Sequence, residues 1–455
     1  MSQLLELHKN QTKHLYDYQL HDLNRIFDVI QQHPDQYNLL YQLPTGGGKT
    51  VIFSEIVRRY INQNQKKVVI LTHRIELCKQ TSKMLTGFNV NNKIIDSKVK
   101  ELKDQDQYQC FVAMVETLNN RLNDDKLELN DIGLVIIDEA HYNSFRKLFK
   151  FFKSCFILGV TATPLSSNIK LPMNDNYSRL IVGDDISTLI QKGFLAVPEV
   201  YSYDVSLTTL KIGINGDYTV KSSESLYSNS LMQNKLLFAY EEVSLNKKTL
   251  IFNNGINTSR EVYYTFKKAG YDIRHLDNTT SKQERKDILK WFKETPNGIL
   301  TSVSILTTGF DEPSVESVIL NRATRSLTLY FQMIGRGSRV TENKKSFTIV
   351  EIFTLLNALL LQNNGLSVLT FLYKCICVNY LSRTMVTALV LNHFVSIIIA
   401  SSASNNAKGP GVPCGRAGGI INFQVCSMAS LLGHGLVLLT GRSWLTVPCK
   451  ILPGT

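Results

Sequence analysis

The chain has 455 residues, enough for two or three domains with full hydrophobic cores. Its formal net charge of +12 favours a polyanionic partner without indicating a fold. The opening MSQLLELHKN lacks an apolar core of signal-peptide length, and no C-x-x-C pair occurs, so neither secretion nor a zinc site is expected and the chain reads as cytoplasmic.

From Tyr16 onward, short apolar runs alternate with turn residues and amphipathic segments of helical length. Asn38–Leu43, Lys67–Thr72, Cys110–Val115, Leu134–Ile137 and Phe156–Val160 form a first set of strands. Lys248–Phe252, Asp272–Leu276, Gly298–Ser302, Val315–Leu320 and Phe347–Val350 form a second. The runs are continuous rather than alternating, which suits parallel strands covered on both faces. Strand, loop and helix in repeated order argue for doubly wound α/β sheets. Between the sets, from about Tyr201 to Glu242, lies a polar, Ser- and Tyr-rich stretch, where the lobe boundary is expected.

Pro44-Thr45-Gly46-Gly47-Gly48-Lys49-Thr50 follows the first strand and precedes an expected helix over Val51–Tyr60. Glycines let backbone N–H groups approach phosphates, and a helix N-terminus adds a favourable dipole. Lys49 suits the β- and γ-phosphates and the Thr50 hydroxyl suits Mg2+. The first Gly of the general pattern is Leu43 here. Downstream, Leu134-Val135-Ile136-Ile137-Asp138-Glu139-Ala140-His141 puts two carboxylates at the end of an apolar strand. An Asp there can hold Mg2+, while the adjacent Glu can orient and deprotonate an attacking water.

With these two motifs the sequence resembles the superfamily 2 helicases, DEAH standing in place of DEAD. Tyr16-Asp17-Tyr18-Gln19 is similar to their adenine-reading element, with Gln19 as reader. Leu71-Thr72-His73-Arg74 resembles motif Ia and Val112–Thr117 motif Ib, which implies strand contacts by His73, Arg74 and Thr117. Thr161-Ala162-Thr163-Pro164 resembles motif III, and with His141 would link the nucleotide and nucleic-acid sites. In the second half, Thr249–Phe252 is similar to motif IV, Thr308–Pro313 to motif V with Gly309 and Asp311 at the nucleotide, and Gln332–Arg339 to motif VI. Arg336 and Arg339 are then arginine fingers, with Gln332 beside them, bringing positive charge to the γ-phosphate when the cleft closes.

The resemblance implies two tandem RecA-like lobes: an ATP-binding lobe over 1–200, a connecting segment over 201–243 and a second lobe over 244–351. Two lobes that close on ATP and reopen form a motor. The combination of motifs looks most like bacterial repair helicases of the RadD type and motor subunits of type I restriction enzymes. The expected activity is ATP-dependent unwinding of, or translocation along, DNA; the rivals are an RNA helicase with the same motor and a non-hydrolysing nucleotide-regulated scaffold. Only fifteen residues precede Tyr16, so no nuclease module is expected there. Leu189–Leu195 also resembles the stretch following the first lobe in DNA-directed members. Phe145–Lys153 carries basic and aromatic residues, but Phe145, Leu148 and Phe152 share one helical face, as in an ordinary amphipathic helix.

From Ile352 the composition changes. The last 104 residues hold six Lys/Arg and no Asp or Glu, and the stretches 352–373 and 384–404 are uncharged and long enough to span a bilayer. A membrane hairpin, an accessory domain and a frame-shifted or foreign end to the gene are the three readings, the last favoured because an acid-free domain departs sharply from ordinary composition. No membrane contact is expected unless this tail is native, and no protein partner is indicated.

Overall fold

The computed structural model describes residues 15–353, apart from 167, 169, 304 and 308. The readings made for the N-terminal segment and for the tail beyond Phe353 lie outside the described residues.

Seven parallel strands make the first sheet: β1 (Tyr37–Gln42), β2 (Lys67–Thr72), β3 (Asn92–Ile95), β4 (Cys110–Met114), β5 (Ile132–Asp138), β6 (Phe156–Thr161) and β7 (Arg179–Val182), in the order β3-β4-β2-β5-β6-β1-β7. Helices α1 (Asp17–Gln32), α2 (Lys49–Asn64), α3 (Ile75–Gly87), α4 (Val115–Asn123) and α5 (Ile186–Gln191) accompany it. The apolar runs are continuous because neighbouring residues serve opposite faces. On β5, Leu134 and Ile136 join Ile26, Phe53 and Ile56 from α1 and α2, whereas Val135 and Ile137 join Leu118, Phe145 and Leu148.

The second sheet is also parallel: β8 (Val197–Ser202), β9 (Thr249–Asn253), β10 (Ile273–Leu276), β11 (Ile299–Val303), β12 (Ser317–Asn321) and β13 (Ser346–Glu351), ordered β10-β11-β9-β12-β13-β8. Its helices are α6 (Val220–Tyr227), α7 (Ser230–Val243), α8 (Ile256–Lys268), α9 (Lys282–Glu294) and α10 (Leu327–Ile334). Residue 200, expected to end the first lobe, falls inside β8, which pairs along its whole length with β13. The stretch 201–243, expected as a connector, supplies Val205, Tyr218, Tyr227 and Leu236 to the core of the second lobe. The crossover between sheets therefore lies between β7 and β8. The stretch is polar because its helices bury only one stripe and β8 is an edge strand.

Register places the chemistry. Gln42, the last residue of β1, lies opposite Thr161 at the end of β6, and Asp138 at the end of β5 lies opposite Val160. The loops that follow all leave from the carboxyl edge of the sheet, where open α/β sheets bind ligands.

Candidate active site at the lobe seam

After β1 the backbone turns through Gly46 and Gly48, whose φ values of +89° and +85° favour glycine. Gly48 is the N-cap of α2 and has no side-chain cap, leaving the helix's first amides available to an anion. A Cβ at Gly48 would lie 2.4 Å from Gln19 Nε2. Gln19 is buried; its Nε2 donates to Gly47 O at 3.2 Å and its Oε1 accepts from Tyr16 N at 3.0 Å. Tyr18 Oη donates to the same Gly47 carbonyl at 2.7 Å, and Tyr16 and Tyr18 pack on Phe194 with centroids 4.5 and 4.9 Å apart. In these contacts Gln19 braces the glycine loop. Lys49 Nζ donates to Leu43 O and Pro44 O at 3.2 and 3.4 Å. Burial holds its ammonium below the usual lysine range; Glu139 and Asp138 oppose that shift, and Arg336 and Arg339 add to it. Thr50 follows, half-buried in the first turn of α2.

Asp138 ends β5, buried, its Oδ1 accepting from Glu139 N at 3.0 Å. Burial, reinforced by the charge of Glu139, raises its carboxyl to about 7, with Lys49 pulling the other way. Such a carboxyl is favoured in its charged form by an adjacent cation. Glu139 adopts φ +54°, unusual for a residue with a Cβ. Its Oε2 is buried without a hydrogen-bond partner, and His141 Nδ1 lies 3.4 Å away. His141 is buried, which lowers its pKa, and its Nδ1 shares a hydrogen bond with Thr161 Oγ1 at 3.0 Å.

The atoms His141 Nε2, both ring nitrogens of His73 and Gln332 Nε2 are likewise buried and unpartnered. They gather around Tyr142: His73 and His141 pack on its ring with centroids 4.5 and 4.3 Å away, and Gln332 lies beside it from the second lobe. Burial, with Arg74 adding repulsion, pushes His73 down to about 4. His73 and Arg74 thus sit beside the DEAH segment at the end of β2, while Thr117 lies half-buried in the first turn of α4, just past β4.

The second lobe closes the site. Arg336 donates to Thr307 O at 2.6 Å, to Phe310 O, and to Gln332 O at 3.3 Å. Burial lowers its guanidinium to about 10, and the charge of Glu139 acts against that shift. Arg339 pairs with Asp311, a contact between two expected nucleotide residues that the motifs alone did not reveal. Gly309 O accepts from Gln80 Nε2 of α3 at 2.5 Å, and Arg285 approaches Glu76 at 3.5 Å. Thr161 Oγ1 binds Thr163 O and N at 3.0 and 3.2 Å, and Thr163 Oγ1 meets Thr328 Oγ1 of α10 at 2.9 Å. Contacts run unbroken from Glu139 through His141, Thr161 and Thr163 to the helix carrying Gln332. Gln80 and Thr328 were missed by motif reading; the available signal for Thr328 is its place one turn before Gln332 on α10.

The glycine loop touches the turn that follows α10. A Cβ at Gly335 would lie 2.5 Å from Thr45 Cγ2 and 2.8 Å from Phe331 O, and one at Gly46 would lie 2.9 Å from Ser338 Oγ. Gly335→Ala is therefore expected to hold the lobes apart, cutting ATP turnover by about tenfold or more while the thermal transition stays cooperative. Turnover at the wild-type rate would count against this contact. Most of the stretch Phe145–Lys153 lies in a 3-10 helix, Asn143–Phe151, with Phe145, Leu148 and Phe152 buried, and three of its cations bond within the chain: Lys147 to Glu116, Lys150 to Asn123 at 2.7 Å and Arg146 to Leu171 O at 2.6 Å.

Two parallel α/β lobes, a glycine loop with Lys-Thr after β1, an acidic pair after β5 and arginines reaching from the second lobe define a two-lobed P-loop NTPase architecture. Comparison with known proteins agrees. Residues 12–166 match the family described as "Type III restriction enzyme, res subunit", and residues 231–341 match "Helicase conserved C-terminal domain". The chain is 29% identical to the putative ATP-dependent helicase IRC3 of Saccharomyces cerevisiae, over 74% of this chain and 51% of that protein. It is 23% identical to the type I restriction enzyme EcoAI endonuclease subunit of Escherichia coli, over 73% and 45% respectively. The fold aligns with S. cerevisiae Dbp5 bound to RNA and ADP BeF3 at a TM-score of 0.54 and 18% identity, over 77% of this chain and 86% of that one. The chain belongs to the superfamily 2 helicases. It spans about half the length of these two curated relatives. Among the described residues no helix is long and apolar enough to cross a membrane.

Proposed function

We propose that this chain hydrolyses ATP in a nucleic-acid-dependent manner and couples hydrolysis to movement along, or unwinding of, DNA. The observation that carries the reading is the meeting of Lys49 and Glu139 of one lobe with Arg336 and Arg339 of the other within electrostatic reach. Lys49 and the loop of Gly46, Gly47 and Gly48, with Thr45 beside them, hold the phosphates. Glu139 orients and deprotonates the water; its buried, unpartnered Oε2 suits that task. Arg336 and Arg339 exchange their present partners for the γ-phosphate, with Gln332, Gly309 and Asp311 shaping that wall.

Thr50 and Asp138 are the residues that would hold Mg2+, and the cation-favouring surroundings of Asp138 fit that group. Mg2+, when bound, neutralises phosphate charge.

The chain of contacts from Glu139 to Thr328 supports coupling, because a shift at the water-activating carboxylate is felt by the helix that leads into the arginines. His73, Arg74 and Thr117 are proposed strand contacts, each following a strand that ends at the carboxyl edge of the first sheet. DNA is favoured over RNA because restriction-enzyme subunits appear both in the family match and among the relatives; a place in DNA repair follows only from the motif resemblance. The test is ATP turnover with single-stranded DNA, duplex DNA or RNA added. Stimulation by DNA is expected, stimulation by RNA alone would reverse the choice of polymer, and no turnover under any condition would remove the enzymatic reading.

A further inference from the structure

Two segments of the second lobe carry the proposed nucleotide contacts: 307–315, which leads into β12, and 335–339, which follows α10. Three cations tie them together. Arg336 bridges to the carbonyls of Thr307 and Phe310, and Arg339 bridges to Asp311. The third is Lys344, which no motif singled out. Its Nζ donates to Val315 O at 2.7 Å and to Gly337 O at 2.8 Å, with only 6% of the residue exposed. It is presented by a tight turn in which Thr341 N donates to Lys344 O at 3.1 Å.

A buried ammonium is costly, and burial lowers this one to about 8. Glu316 and Glu312 favour its charge from nearby, while Arg339 disfavours it. Main-chain carbonyls are partners that a long apolar side chain could not satisfy, so the lysine's value lies in the tie it makes. The tie matters because of what the arginines are proposed to do. To reach a phosphate, Arg336 and Arg339 give up their bonds across the two segments, whereas Lys344 has no second task. Gly337, whose carbonyl Lys344 holds, sits between the two arginines in sequence and is packed hard on Phe347, a Cβ there falling 2.2 Å from the ring.

We infer that Lys344 is a positioning residue: a permanent clasp that keeps Gly337, and with it Arg336 and Arg339, in place while the arginines change partners. The inference rests on the finger role proposed above. It acts through the arginines, so its loss should slow turnover without weakening nucleotide capture, which rests mainly on the glycine loop and Lys49 of the first lobe.

The test is steady-state ATP hydrolysis at saturating single-stranded DNA for Lys344→Met and Lys344→Arg, alone and in an Arg336→Ala background, with thermal unfolding of each. Lys344→Met keeps the stem and removes the charge; kcat is expected to fall about tenfold or more with KM within about twofold. Lys344→Arg, which keeps the donors and charge, should recover much of the loss. In the Arg336→Ala background the further loss should be smaller than in the wild type, because the two residues share one path. A kcat within twofold of wild type, equal changes in kcat and KM, or a full multiplicative loss beside Arg336→Ala would each overturn the clasp while leaving the site intact. Should Lys344→Met not fold, Lys344→Gln carries the same comparison. A wild-type chain without ATPase activity overturns the finger reading and the clasp with it.

Discussion

Glu139→Gln is expected to lower nucleic-acid-stimulated ATP turnover by about 10²–10⁴-fold, the usual contribution of a positioned general base, while ATP still binds. The amide has nearly the shape of the carboxylate, so the loop at φ +54° and the packing around His141 are not asked to change. What is lost is the basicity of an oxygen that is buried and lacks a hydrogen-bond partner. An amide placed there can still touch a water but cannot take its proton. Single-turnover hydrolysis beside equilibrium binding of a fluorescent ATP analogue separates the two steps. Wild-type turnover would remove Glu139 from the chemistry, and loss of binding would make it a structural residue.

Arg336→Ala is the second large effect, with kcat down by about 10³-fold or more if the guanidinium stabilises charge on the transferring phosphoryl group. This substitution needs a control, since it also strips the carbonyls of Thr307 and Phe310 of a donor. Losing a donor to a buried carbonyl costs about 1–3 kcal/mol, so part of the loss could come from a loosened turn. Arg339→Ala supplies the comparison. Its partner Asp311 is 54% exposed and can return to water, so little stability should be lost. A fall in kcat with unchanged nucleotide affinity and melting temperature in Arg339→Ala identifies a finger. Equal losses of affinity and turnover would argue against that role.

The central strands were legible in the sequence because burial on both faces makes each of them a continuous apolar run: β1, β2, β4, β5 and β6 in the first sheet, and β9, β11, β12 and β13 in the second. The strands that escaped notice are β3, β7 and β8, and each stands at a sheet edge. β7 buries only Ile181 and β8 only Pro198, so neither shows the run that marked the others. A proline is tolerated on such an edge and would argue against a central strand. Missing β8 displaced the lobe boundary.

Motifs were legible because their chemistry demands particular residue types at particular spacings, and Lys49, Asp138, Glu139 and Arg336 do converge. Spacing does not show what each side chain touches. Gln19, expected to read a base, is bonded at both ends of its amide within the loop region, and His73, expected on an open strand-binding face, stacks on Tyr142 beside the DEAH segment. Contacts across the seam, such as Gln80 with Gly309 and Thr163 with Thr328, join residues more than 160 positions apart and leave no local pattern.

The most direct measurement is a crystal structure of the protein with Mg2+ and ADP–beryllium fluoride. One nucleotide is expected between the lobes, with Lys49 on one side of the beryllium fluoride and Arg336 and Arg339 on the other. A nucleotide held by the first lobe alone, with both guanidinium groups still on Thr307, Phe310 and Asp311, would contradict the account.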